Sequence, residues 1–159
     1  AELGITDPVR IRSSVLRSGW DHGFGEPDAA TTCAKEALEE ADVGASELSV
    51  VECHDASAPA EIIAYESIGL CEKGGGGELV ESGATALGGR IPVNTSGGLL
   101  RKGHPVGATG IAQIIELAEQ IQGRAGDRQI DGARVGLAHN GGGTIGVDVA
   151  AMCVTVLSR

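Results

Sequence analysis

Asn94-Thr-Ser-Gly-Gly-Leu-Leu-Arg-Lys-Gly-His-Pro-Val-Gly-Ala-Thr-Gly110 sets one histidine between glycine turns, directly ahead of a strongly apolar helical pattern. Gly97, Gly98 and Gly103 let the backbone take positive φ or approach a neighbour closely, so a fixed loop shape is implied. Gly103 and Pro105 flank His104, which keeps it out of a helix interior and on a loop where its ring can face a cavity. Residues 107–122 then read as the anchoring helix. Ile111, Ile114, Ile115, Leu117, Ala118 and Ile121 make a wide apolar face, which predicts burial over much of its circumference, and Gly123 stops it. On pattern alone, a lone histidine in such a turn is more often structural than catalytic.

Outward from this stretch, the chain alternates strands and helices. Residues 9–17 partly alternate and predict a strand, and Gly19–Pro27 is a turn-rich loop whose His22 reads as solvated. A helix is expected from Pro27 or Asp28, with Ala30, Cys33, Ala34, Ala37, Leu38 and Ala41 on one face and Gly44 as its breaker. Leu48–Cys53 predicts a buried strand that delivers His54 and Asp55 at its C-terminal end, where open α/β sheets bind ligands. Asp55 also fits a helix cap. Pro59 and Glu61 suit the first turn of a helix burying Ile62, Ile63 and Ile68, and Tyr65 reads as core. Lys73–Gly77 reads as a flexible connection and not a phosphate loop, because no Gly-Lys-Ser/Thr ending follows. Gly88–Val93 leads into the opening loop as a strand. Residues 134–138 form the next strand, His139-Asn-Gly-Gly-Gly143 a glycine turn, and Thr144–Val156 a final strand, together an antiparallel hairpin. The order β-α-β-α-β-α-β-β predicts an α/β fold with a mixed sheet covered by helices.

Composition narrows the function. A length of 159 residues suits one domain, and 26 glycines with 2% aromatic residues predict a core of Ala, Val, Ile and Leu with function on loops. The net charge of −10 with no basic stripe argues against nucleic acid and anionic membrane surfaces as partners. No apolar run approaches the roughly 20 residues of a membrane span, and no signal-peptide pattern opens the sequence. The four cysteines lack CxxC spacing and read as reduced, structural and cytoplasmic, with no metal site. The sequence begins with alanine and has no methionine before Met152, so a processed or truncated piece is expected.

Gly103-His-Pro-Val-Gly-Ala-Thr-Gly110, with the preceding Asn-x-Ser-Gly-Gly turn, resembles the Gly-His-Pro motif of thiolases. The resemblance implies the C-terminal half of the thiolase fold over residues 28–159, with residues 1–27 the tail of a preceding connection carrying the first strand. It implies acyl transfer at a coenzyme A thioester, with acyl-CoA as substrate and no permanently bound cofactor. The nucleophilic cysteine belongs to the N-terminal half of such enzymes, through which a homodimer is expected, so this chain alone is expected to be inactive. His104 matches the histidine that activates that cysteine and binds a thioester oxygen. Gly141 matches a glycine whose backbone N–H completes an oxyanion hole.

His54-Asp55-Ala56 stands where many thiolases carry Asn-Glu-Ala, and its His-Asp form resembles the sterol carrier protein thiolase branch. That branch has a cysteine where this chain has Ala56, and other thiolases have an acid/base cysteine where it has His139. An alanine cannot remove a proton α to a thioester, whereas an imidazole with an ordinary pKa of about 6.5 can act as acid or base. The resemblance therefore leaves three readings. The chain serves a thiolase; or a thiolase-like retro-aldolase of steroid side-chain CoA thioesters with a zinc-ribbon OB-fold partner; or a non-catalytic acyl-CoA or lipid-binding remnant. His54 and His104 also resemble the two histidines of decarboxylating ketoacyl synthases.

Overall fold

The computed structural model describes residues 7–159. Of the connection expected over residues 1–27, residues 1–6 lie outside the described part. The elements are β1 (Arg10–Ser18), α1 (Ala29–Ala41), β2 (Val50–Cys53), α2 (Ala58–Ile68), α3 (Gly76–Glu81), α4 (Gly98–Lys102), α5 (Thr109–Ile121), β3 (Val135–Ile145) and β4 (Asp148–Ser158). The sheet order is β1-β4-β3-β2, antiparallel at β1–β4 and β3–β4 and parallel at β2–β3.

Local chemistry sets the helix bounds. Asp28 Oδ1 accepts a hydrogen bond from Thr31 N at 2.6 Å, an N-cap of the kind that contributes about 1 kcal/mol. The small-residue stripe Ala29, Cys33, Ala34, Ala37 and Ala41 is then buried against the sheet. Asp42, in the left-handed region at φ 54°, ends this helix ahead of Gly44. Ser57 caps α2 with Pro59 in its first turn, and Gly69 at φ 83° ends it.

Helices α1 and α2 cover one sheet face over Val51, Cys53, Leu137, Met152, Val154 and Val156. On the other face α5 packs Leu117 and Ile121 against Val50, Ala138 and Leu157. Burial pushes the Cys33 thiol up to about 11 and raises that of Cys53 as well, in keeping with structural cysteines. All four cysteines are free.

Several expectations need correcting. Gly88–Val93 is not a strand, and contributes only the bridge Val51–Val93. The N–H groups of Ile91 and Val93 donate to Ala84 O and Thr85 O, so a local turn takes the donors that a ladder would use. The hairpin turn does not fall at residues 139–143. His139, Asn140, Gly141 and Gly142 pair in register with Val154, Cys153, Met152 and Ala151, and the chain turns at Gly146 (φ 58°) and Val147. Glycine lacks a side chain but keeps both ladder groups, so a glycine run can continue a strand. The Lys73–Gly77 connection is helical by Gly76, whose absent Cβ would lie 2.7 Å from Ile62 Cγ2.

Helix α5 buries only part of the face expected, Leu117 and Ile121, and adds polar residues to it. Its buried residues include Gln113, Glu116 and Gln120, while Ile111 is 64% and Ile115 53% exposed. Most of the buried polar groups are satisfied: Gln113 Nε2 donates to His139 O at 3.2 Å, Gln120 Nε2 to Arg128 O at 2.6 Å, and Arg128 holds Glu116 at 2.8 Å, while Gln113 Oε1 has no hydrogen-bond partner among the described residues. Burial alone would raise the Glu116 pKa. The bonds from Arg128, Gln120 and Thr95 outweigh it and leave that pKa lowered.

Candidate active site

Strand β2 ends in two carboxylates that shape the glycine loop. Glu52, fully buried, accepts from Ser96 N at 3.0 Å and Ser96 Oγ at 2.6 Å, with Lys102 Nζ 3.6 Å away. Burial pushes its pKa up, and the Ser96 bonds and Lys102 oppose that rise. Asp55, also buried, accepts from Leu99 N at 2.7 Å and Leu100 N at 3.3 Å, so it holds α4 and not the helix that follows it in sequence. Gly98 makes this contact possible: at φ 62°, a Cβ there would sit 2.0 Å from Asp55 Oδ2. Asn94, at φ 52°, accepts from Cys53 N at 2.9 Å and ties the start of the loop to β2. With residues 95–100 fixed to β2, the loop delivers His104 back over the strand's end.

The His54 and His104 rings meet edge to face, with centroids 4.9 Å apart at 87°. His54 Nδ1 lies 2.9 Å from Asn140 Oδ1, and His104 Nδ1 shares a 2.7 Å hydrogen bond with Thr109 Oγ1 at the start of α5. Gly141 belongs to the same group, since a Cβ there would be 3.9 Å from His54 Cδ2. Residues far apart in sequence thus converge where the parallel pair β2–β3 ends.

His139 faces the opposite side of β3 from Asn140, as strand alternation requires. It lines a cavity of about 550 Å³ together with His54, Ala56, Gly141 and Met152. Both positions where the resemblance puts a cysteine, Ala56 and His139, therefore border one space. The His139 ring is 4% exposed, and neither ring nitrogen has a hydrogen-bond partner among the described residues. Burial, and secondarily the neighbouring His54, pushes its pKa down to about 4. The ring is thus neutral at pH 7 and not poised near 6.5, which makes it a weak base with one N–H left to donate.

His22 corrects another expectation. Its side chain is 6% exposed, packs with Nε2 3.4 Å from Asp148 Oδ2, and lines the same cavity. That separation suits an ion pair, although the geometry is not that of a hydrogen bond. The Gly23 carbonyl 2.9 Å from Nδ1, together with Asp148, raises its pKa. Tyr65 is core as expected, its hydroxyl donating to Glu61 at 2.6 Å. Asn140 and Thr109 are site residues that sequence reasoning missed. Asn140 reads as a turn residue until β3 is known to run through it.

Among the described residues no group of three or more His, Cys, Asp or Glu could hold a metal, and no helix is long and apolar enough to cross a membrane.

Comparison with known proteins bears on the family and the fold. A family model described as thiolase C-terminal domain-like matches residues 23–159. The chain is 46% identical over 113 residues to "Sterol carrier protein 2" of Rattus norvegicus, covering 71% of this chain and 21% of that protein. It is 47% identical over 144 residues to "Acetyl-CoA acetyltransferase" of Methanothermobacter thermautotrophicus, covering 87% and 38%. It is 37% identical over 147 residues to "Benzoylsuccinyl-CoA thiolase subunit BbsB" of Thauera aromatica, covering 89% and 38%. Among solved structures, "Ltp2-ChsH2(DUF35) aldolase" superimposes with a TM-score of 0.81 at 19% identity, over 96% of this chain and 40% of that one, a likeness of fold. The chain thus spans from 21% to 38% of the length of these curated relatives. Since the family model takes in nearly all of the β2–α5–β3 site as well as most of the chain, the chain belongs to the thiolase C-terminal domain-like family.

Proposed function

We propose that this chain is the C-terminal catalytic half of a thiolase-like enzyme that makes or breaks a carbon–carbon bond beside a coenzyme A thioester. The observation that carries this reading is the edge-to-face pair of His54 and His104, in which His54 also lines the cavity that holds Gly141 and His139. In this reading the cysteine nucleophile comes from an N-terminal half of the longer protein, which also forms a homodimer. His104, held by Thr109, activates the cysteine and binds a thioester oxygen. Gly141 offers a backbone N–H to a developing oxyanion, and His139 donates a hydrogen bond as a neutral imidazole. Residues 28–159 form the domain and residues 1–27 the connection that lends it an edge strand. Four free thiols support a reducing, cytoplasmic setting.

The pairing of Ala56 with a neutral His139 favours a second reading. With no thiol base for the α-carbon, the site still suits release of a thioester enolate, as in retro-aldol cleavage of a β-hydroxyacyl-CoA, where a zinc-ribbon OB-fold partner would take part. The test joins this chain to a thiolase-type N-terminal half, with and without that partner. The joined protein is assayed on a β-ketoacyl-CoA plus free CoA, and on a β-hydroxyacyl-CoA alone. CoA-dependent cleavage of the first supports the thiolase. CoA-independent release of a ketone or aldehyde from the second replaces it with the aldolase. Binding without either product leaves a non-catalytic acyl-CoA-binding domain.

A further inference from the structure

We infer that Asn140 is a positioning residue that fixes the proton of His54 on Nδ1, and so makes His54 Nε2 a second proton acceptor of the site beside His104. The inference rests on the reading of this site as an acyl-CoA site, and it assigns a direction of proton transfer that the reading leaves open.

The amide oxygen of Asn140 faces His54 Nδ1 at 2.9 Å. A carbonyl oxygen only accepts, so the ring nitrogen must donate. In a neutral imidazole that leaves Nε2 with a bare lone pair. The Asn140 side chain has little freedom to turn away. Its Nδ2 lies 2.8 Å from where a Cβ on Gly110 would be, so the amide is packed against the first turn of α5. Its backbone is held in the ladder opposite Cys153. No carboxylate takes this place: Asp55, next in sequence, is spent on Leu99 N and Leu100 N.

The other imidazoles divide the remaining work. His139 stays neutral on the far side of β3, and His104 is tied through Nδ1 to Thr109 and stands with its ring at right angles to that of His54. For a β-hydroxyacyl-CoA the step balances as follows. His54 Nε2 takes the β-hydroxyl proton, the O–H pair forms the new C=O, the Cα–Cβ bond breaks, and its electrons go to the thioester enolate. The proton then passes to Cα, giving a carbonyl product and a shorter acyl-CoA. The imidazolium formed midway keeps its Nδ1–H bond to Asn140, so the ring does not turn during the transfer.

The chain has four histidines, few enough for long-range proton–nitrogen NMR spectra to resolve each ring in the 159-residue chain itself. His54 is expected to show a protonated Nδ1 and a lone-pair Nε2. In Asn140→Leu this preference is lost, and in Asn140→Asp, which keeps an acceptor oxygen, it returns. In the joined protein, Asn140→Leu is expected to lower kcat by about tenfold or more with KM within about twofold, because a wrong tautomer harms the proton transfer and not binding. A wild-type His54 protonated on Nε2 overturns the inference, as does an Asn140→Leu protein whose kcat stays within about twofold of wild type. The NMR result stands without turnover, so failure of the assay on both substrates counts against the proposed function and leaves the tautomer assignment to be read separately.

Discussion

His139 shows how one side chain's surroundings decide its chemistry. Its folded pKa of about 4 lies below the ordinary 6.5, so between these values the unfolded chain binds a proton that the folded chain refuses. Its contribution to stability is therefore level above about pH 6.5 and falls as the pH drops toward 4, by up to about 3 kcal/mol in all. Urea unfolding across that range is expected to show the slope in the wild type, and a difference curve against His139→Gln should isolate it. A second expectation concerns Thr109, which is buried and bonds to His104 Nδ1. Thr109→Val keeps the volume and loses the hydroxyl, so in the joined protein kcat should fall about tenfold while the melting temperature moves little. His54, His104 and His139 were legible as candidates because their motifs carry a resemblance. Their partners Asn140 and Thr109 were not, because hydrogen bonds across 86 and 5 residues follow from the register of β3 and the start of α5, which no local pattern states.

At the scale of elements, β2 and the loop 94–105 act as one unit, since Glu52 and Asp55 hold the loop's backbone just before α4 and at its start. Gly98→Ala tests this directly. Its Cβ would overlap Asp55 Oδ2 in a left-handed backbone, so a loss of about 2 kcal/mol or more is expected, seen as a lowered urea midpoint with activity reduced through His104. The sequence showed that this loop must be bent, because glycines cluster there. It did not show that two strand carboxylates hold it, since a buried Glu reads as surface charge until its partners are placed. For α5, the apolar period predicted the burial of Leu117 and Ile121 but not the exposure of Ile111 and Ile115. Gln113, Glu116 and Gln120 are buried because the turn at Arg128 and the backbone of β3 satisfy them, a tertiary cause invisible to periodicity. The missed hairpin turn has the same origin, since Gly141 and Gly142 look like a break but pair as strand.

For the whole molecule, the α/β class and the covered mixed sheet were readable from the alternation of elements, whereas the strand order β1-β4-β3-β2 follows from pairings between distant segments. Ile111 and Ile115 on α5 and Leu100 and Val106 in the loop 94–106 are large apolar groups left exposed. If these groups meet the N-terminal half of the proposed assembly, a charge among them should weaken that contact. Ile115→Asp should therefore leave the melting temperature of the isolated chain nearly unchanged, because exposed substitutions cost within about 0.5 kcal/mol. It should weaken association with a separately expressed N-terminal half, as measured by calorimetry. The isolated chain should also show no thiolytic turnover in a coupled CoA assay, since no residue in it matches the nucleophile.

The central claim is that His104, packed against His54 at the end of β2, acts on the thioester. The measurement that reaches it most directly is kcat for His104→Ala in the joined protein, on whichever of the two CoA substrates the wild type turns over. A fall of about a hundredfold or more, with folding intact, is the result this account predicts for a lost acid/base group. A kcat within about twofold of wild type would contradict it.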